Sequence, residues 1–274
     1  MVARVVSIVV MAAAVVWTFL PATGFAFLNW DDQAVIVQNP SLGFPGAATW
    51  AFTTTYMEHY QPLSWLVWAA IKTRSGLNAT AFHAVNVLAH FVCVTLVWGV
   101  SRRVLSRSAP DLPGPWHDRA ALAAALLYGL HPLRVEPVAW ISALPYALAL
   151  GLMLASLLAY MTGPAHASWP WSVASLMLYA ASLGARPVAL GFPIVLLAID
   201  AGLLKRGPRA SLARVWPFAV LAIAAAMIES VARVPGLNDT PWLYRLQSAA
   251  SAPFVYVWHT VAPMALTPLA VLPI

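Results

Sequence analysis

Three stretches of this 274-residue chain hold residue types able to move a proton or grip a phosphate. The first is Asp31-Asp32 in FLNWDDQAVIVQNP, followed by Glu58-His59 in TYMEHYQP. Adjacent carboxylates repel each other and call for a cation beside them. So placed, Asp31 or Asp32 is a candidate general base toward a hydroxyl, and the two together are a candidate ligand pair for a divalent metal. The same pair reads equally well as loop acids marking a helix end. The second stretch, His131-Pro132-Leu133-Arg134-Val135-Glu136, puts an imidazole, a guanidinium and a carboxylate within six residues. The planar fork of arginine suits phosphate oxygens. The alternative is a helix-ending His-Pro with a local Arg134/Glu136 pair. The third is Arg186 in GARPVALGFP, which has no acid near it in sequence and must find its anion elsewhere in the protein or on a ligand.

Other candidates read more simply. His83 and His90 lie seven apart and share a helix face with Asn86, as a metal or haem pair would, but a polar seam between helices is the commoner use of that spacing. Glu229 and Arg233 fit an i,i+4 pair. Asn78-Ala79-Thr80 and Asn238-Asp239-Thr240 match the N-glycosylation pattern. The single cysteine, Cys93, excludes an intrachain disulfide framework. There is no glycine-rich phosphate loop, nucleophile elbow or zinc-helix motif.

The elements that must position these groups are apolar. Residues of the AVILMFWYC set make up 61% of the chain and charged residues only 9%, against about 25% in a soluble domain. Mean hydropathy is +0.77. The composition excludes an ordinary soluble fold and calls for one all-α membrane domain over residues 1–274, a polytopic helical bundle. Residues 5–28 carry no charge and suffice for a first span; a cleaved signal peptide is the competing reading, but its apolar core would be shorter. Residues 29–81, with Asn39-Pro40, Gly43, Pro45-Gly46 and many aromatics, read as an outer loop with short interfacial helices. Residues 82–274 supply the remaining spans: 82–100, 120–130, 138–161, 169–184, 188–204, 212–231 and 249–272, about eight in all.

If each span crosses once, the charges sort by side. One side receives Arg4, Arg102, Arg103, Arg107, Arg119, Lys205, Arg206, Arg209 and Arg214 against Asp111, Asp118 and Asp200. The other receives Lys72, Arg74, Arg134, Arg186, Arg233 and Arg245 against Asp31, Asp32, Glu58, Glu136, Glu229 and Asp239. The positive-inside rule makes the first side, and the N-terminus, cytoplasmic. The net charge of +6 is thus topological, and no nucleic-acid partner is expected. Asp31, Asp32, Glu58, His59, His131, Arg134, Glu136 and Arg186 then share the periplasmic or lumenal mouth of the bundle. Charge at membrane depth costs roughly 2.5 to 3.5 kcal/mol per residue, so these groups are expected to line a cavity.

The order of words LNWDDQAVIVQNP, WAFTTTYMEHYQPLSWL, GLNATAFHAVNVLAH, LYGLHPLRVEPVAWIS and GARPVALGFPIVLLAID resembles the membrane part of the transmembrane and tetratricopeptide-repeat O-mannosyltransferase-like proteins of the GT-C glycosyltransferase superfamily. The resemblance spans about residues 26–204. It implies a GT-C-like helical enzyme whose donor is a sugar on a polyprenyl or dolichyl phosphate. By the same resemblance, Asp31 or Asp32 is the catalytic base, His131, Arg134 and Arg186 meet the donor phosphate, and Glu136, Glu58 and His59 support them. A divalent metal on Asp31 and Asp32 is one way to steady the leaving group. The chain departs from the family in the uncharged stretch 141–149 and in length, so it is expected to stand for the membrane part alone, as a truncated product, a fragment or a reduced subunit. The leading expectation is a glycosyltransferase acting in membrane lipid. The alternatives are an inactive GT-C-derived subunit packed among partner membrane subunits and, third, a transporter or lipid flippase.

Overall fold

The computed structural model describes residues 2–43, 45–162, 169–232, 241–264 and 266. The described residues are helical, with no strand among them. Helix α1 (Val2–Phe19) ends in a tight turn, Leu20–Gly24, and a widened helical turn follows at Gln33–Val37. Next come α2 (Ala47–Thr53), α3 (Pro62–Ser75), α4 (Ala79–Ser108), α5 (Gly114–Gly129) and a bend of short turns around α6 (Val135–Ala139). The remaining helices are α7 (Leu144–Thr162), α8 (Trp169–Ala185), α9 (Phe192–Gly202), α10 (Pro208–Ala232) and α11 (Trp242–Val261).

Local sequence sets the ends of these helices. Pro62 opens α3, where its missing N–H costs nothing, and Gly76 closes it at φ 61°, a conformation that disfavours any side chain. Asn78, the residue of the glycosylation pattern, caps α4 by accepting a hydrogen bond from Thr80 N at 3.1 Å.

Four helical segments are long and apolar enough to cross a membrane: Arg4–Gly24, Ala79–Ser108, Ile141–Thr162 and Pro208–Ala232. Ser172–Ala185 and Phe192–Gly202 are shorter apolar helices. At 1.5 Å per residue the 16 residues of α5 reach only about 24 Å and the 11 of α9 about 16 Å, so these complete the bundle without spanning it alone. Helix α11 buries no residue, and the last part of the eighth expected span, 267–272, lies outside the described residues.

Contacts along the helices give their directions. Phe19 meets the His90 ring edge-on at 5.1 Å while Met11 and Val15 share a core cluster with Val94, so α1 runs against α4. Arg102 pairs with Asp118 and His90 meets Gly129 O, so α5 also runs against α4. Cys93 contacts Ala147 O and Arg103 reaches Met161 O, so α7 runs with α4. Ser156 meets Ser175 and Ser182 meets Ala149 O, which turns α8 back again. The chain thus shuttles between two ends. Asp31, Arg134 and Arg186 collect at one, and Arg102, Arg103, Arg107, Arg206 and Arg214 at the other.

The α4–α5 contact is close enough to require glycine, because a Cβ on Gly129 would sit 2.8 Å from a Val94 methyl. His90 donates to Gly129 O at 2.9 Å and Asn86 Nδ2 to Trp140 O at 2.9 Å. These bonds set Asn86 and His90 as a polar seam against backbone carbonyls; His83, one turn earlier, makes neither of them.

Candidate functional site

Asp31 and Asp32 are neighbours in sequence and occupy different environments. A helical turn rotates consecutive side chains by about 100°, so only one of the two can face a given cavity. Asp32 is fully buried. Its Oδ2 accepts from Leu28 N at 2.9 Å, and its Oδ1 from Ser142 N at 2.9 Å and Ser142 Oγ at 2.5 Å. It therefore ties the first loop to the bend before α7. Asp31 lines a cavity of about 260 Å³ together with His59, Gln61, Ser142, Tyr146 and Arg186.

Arg186 organises that cavity. Its Nη1 donates to Gln61 Oε1 at 2.9 Å, and its Nη2 lies 3.1 Å from both His59 Nε2 and Tyr146 Oη. Its guanidinium also sits over the Tyr146 ring, 4.8 Å from the centroid. Because a guanidinium only donates, His59 Nε2 must accept, which leaves the ring hydrogen on Nδ1. There it meets Glu229 Oε1 at 3.1 Å, from the far end of α10. Arg186, His59 and Glu229 form one polar chain joining three distant segments.

The His59 side chain is presented by a strained turn. Tyr56 and His59 exchange backbone hydrogen bonds of 3.0 and 3.1 Å, and the residues between them, Met57 and Glu58, take φ of 51° and 62°. Left-handed backbone at residues with a Cβ costs roughly 1 to 2 kcal/mol each. The turn is held in place by Tyr56 Oη donating to Ala34 O at 2.9 Å. Glu58 belongs to this turn and does not line the cavity. Beneath it Lys72 Nζ donates to Ile36 O and Asn39 O, both at 2.9 Å, and burial lowers the pKa of its amine.

Tyr146 also borders a second cavity, of about 340 Å³, lined by Arg134, Glu136, Tyr128 and His90. Arg134 lies over the Tyr128 ring at 5.1 Å. His131 lines neither cavity. Its Nδ1 accepts from Leu133 N at 3.2 Å, capping the turn Pro132–Arg134, and its Nε2 meets Thr260 O at 2.9 Å.

An apolar groove of about 410 Å³ opens alongside, between α3, α8 and α10, with Leu63, Gly184, Pro187, Leu221 and Glu229 among its walls. Gly184 and Pro187 flank Arg186 in the chain, so the groove reaches the polar cavity at that residue. Three tryptophans of the cavity wall, Trp65, Trp68 and Trp140, hold buried indole N–H groups with no partner among the described residues. Buried donors normally find an acceptor, so their lack of one marks a place for oxygen atoms of a ligand or water.

A carboxylate, an imidazole and two guanidinium groups thus flank Tyr146. With Asp32 committed to three donors, Asp31 is left without its expected co-ligand, and among the described residues no three His, Cys, Asp or Glu side chains gather as a metal-binding group. Glu229 was missed by sequence reasoning, which paired it with Arg233; that residue lies outside the described ones. Its actual partner is 170 residues away, and no local signal marks the contact.

The fold and site define an all-helical membrane protein with a polar, arginine-bearing site at one end of its bundle. Over 143 residues the chain is 30% identical to Protein O-mannosyl-transferase TMTC1 of Homo sapiens, a match covering 47% of this chain and 15% of that protein. The chain therefore spans a small part of that relative's length. No family model matches it, and no solved structure does.

Proposed function

We propose that the chain is a membrane glycosyltransferase of GT-C type, moving a sugar from a polyprenyl or dolichyl phosphate to a hydroxyl of a protein or lipid on the non-cytoplasmic face. The observation that carries this reading is the meeting of Asp31 and Arg186 in one cavity although they are 155 residues apart. The similarity to a mannosyltransferase supports it.

In the proposed reaction Asp31 takes the proton of the acceptor hydroxyl as that oxygen attacks the anomeric carbon from the face opposite the phosphate. The bond from anomeric carbon to phosphate oxygen breaks, and its electron pair stays on the phosphate. Arg186, with Arg134 across Tyr146, neutralises the charge gathering there, the role fixed donors play best in a water-poor site. The indole N–H groups of Trp65, Trp68 and Trp140 are suited to sugar hydroxyls. The apolar groove beside Arg186 takes the first isoprene units of the lipid. His59 and Glu229 hold the guanidinium in position.

The test is transfer from polyprenyl-phosphate hexoses by the purified chain in lipid nanodiscs. Asp31→Asn is expected to lower the rate about 100-fold or more while polyprenyl phosphate still binds, consistent with loss of a general base. Arg186→Gln is expected to weaken that binding itself. Unchanged transfer in Asp31→Asn would discard the base. No lipid-phosphate binding by the native chain, with stoichiometric co-purifying subunits, would favour the non-catalytic scaffold.

A further inference from the structure

The far end of the bundle carries a cluster that the proposed chemistry does not use. Arg103 and Arg107 of α4 both donate to Met161 O, at 3.1 and 2.9 Å, and so close the C-terminal end of α7. Arg206, just past α9, donates to the fully buried Asp200 at 2.6 Å, and Tyr160 Oη donates to the other oxygen of that carboxylate at 2.8 Å. Arg206 and Arg214 lie over the Tyr160 ring, each 5.6 Å from its centroid. Arg107 is within electrostatic reach of both Arg103 and Arg206.

Four guanidinium groups therefore gather near one carboxylate, which pairs directly with Arg206 alone and has its other oxygen taken by Tyr160. Arg103 Nε and Arg214 Nε are buried without a partner among the described residues. The connection 163–168, GPAHAS, adds no acid, and Asp118 is bound to Arg102. Arg103, Arg206 and Arg214 are half-buried and Arg107 is exposed, and like charges held this close call for a counter-anion. Its source is set by the surroundings: Leu212 and Trp216, either side of Arg214, are 60% and 61% exposed, an apolar and aromatic edge of the kind that faces lipid at a membrane interface.

We infer that Arg103, Arg107, Arg206 and Arg214 form a binding site for the phosphate of an anionic phospholipid headgroup, in the leaflet opposite the sugar-transfer cavity. Basic pockets between helix ends hold such headgroups through bidentate guanidinium–phosphate bonds. Asp200 stays in place as the internal counter-charge that keeps Arg206 and Tyr160 aligned.

The experiment is native mass spectrometry of the full chain released from nanodiscs of phosphatidylglycerol or of phosphatidylcholine, read as lipid molecules retained. The native chain is expected to retain phosphatidylglycerol at least about fivefold better, and each guanidinium removed is expected to weaken retention by about fivefold. Arg103→Gln with Arg214→Gln leaves the Asp200 pair untouched; the double Lys variant at the same positions should retain part of the preference. Inorganic phosphate at millimolar concentration should not displace the lipid. Equal retention of the two lipids by the native chain, displacement by free phosphate, or full retention in a folded Gln variant would each overturn the site. The native-chain comparison decides the matter even where the variants do not fold, and sugar transfer plays no part in the readout.

Discussion

At the scale of single residues, Asp31 lines a cavity whereas Asp32 is committed to construction. Asp32 is an acceptor for Leu28 N, Ser142 N and Ser142 Oγ. Asp32→Asn keeps the shape but turns an NH2 toward one of these donors, and leaving a buried donor unpaired costs about 1 to 3 kcal/mol. Thermal unfolding of Asp32→Asn in detergent is therefore expected to fall by about 2 to 4 °C for each kcal/mol lost. Asp31→Asn, in a cavity wall with no such bonds among the described residues, is expected to unfold within about 1 °C of the native chain while losing transfer. Equal melting of the two variants would mean that Asp32 bears no load. Sequence alone could not tell these acids apart, since adjacency says nothing about which side of a turn each faces. Arg186 was legible because it is a charge in apolar surroundings with no local acid. Arg134 was legible from its short motif, whereas His131, in the same motif, turned out to cap a turn and hold Thr260 O.

At the scale of elements, helix contacts were harder to read than helices. Long apolar runs marked α1, α4, α7 and α10 because lipid demands about 20 largely apolar residues in a row. Nothing in those runs announces that α5 rests on α4 through Gly129, which in sequence only ends an apolar stretch. Gly129→Ala places a methyl 2.8 Å from Val94, and Val94 is fully buried with a χ1 that has little freedom to turn away. Overpacking of this kind costs about 1 to 3 kcal/mol. The expected outcome is a lowered melting temperature for Gly129→Ala that the second change Val94→Ala partly restores. Additive losses in the double variant would show the two residues to be independent. The His59 turn follows the same logic from the opposite side. Sequence marked the residues 29–81 as irregular, yet the two left-handed residues at 57 and 58 are paid for only by contacts the chain makes after folding.

At the scale of the whole molecule, alternating helix directions carry the site and the arginine cluster to opposite ends, and the functions proposed for them place a membrane between the two. That geometry gives the sequence's charge count a physical meaning. The count expects nine basic residues against three acidic ones on the side away from Asp31, and Arg102, Arg103, Arg107, Arg206 and Arg214 do lie at that end. On the positive-inside rule we propose it as the cytoplasmic one. The assignment is testable because Cys93, the single cysteine, is fully buried and gives little background to thiol reagents. Ser75 and Ser108 are exposed, the first at the C-terminal end of α3 near the site end and the second at the far end of α4. In intact cells Ser75→Cys is expected to react with a membrane-impermeant maleimide, and Ser108→Cys only after the membrane is opened. The reverse pattern would turn the protein over, putting Asp31 and Arg186 in the cytoplasm and out of reach of a donor displayed on the other face. Reaction of both from outside would mean that α4 does not cross, and the transfer chemistry and the lipid site would then lose their common frame.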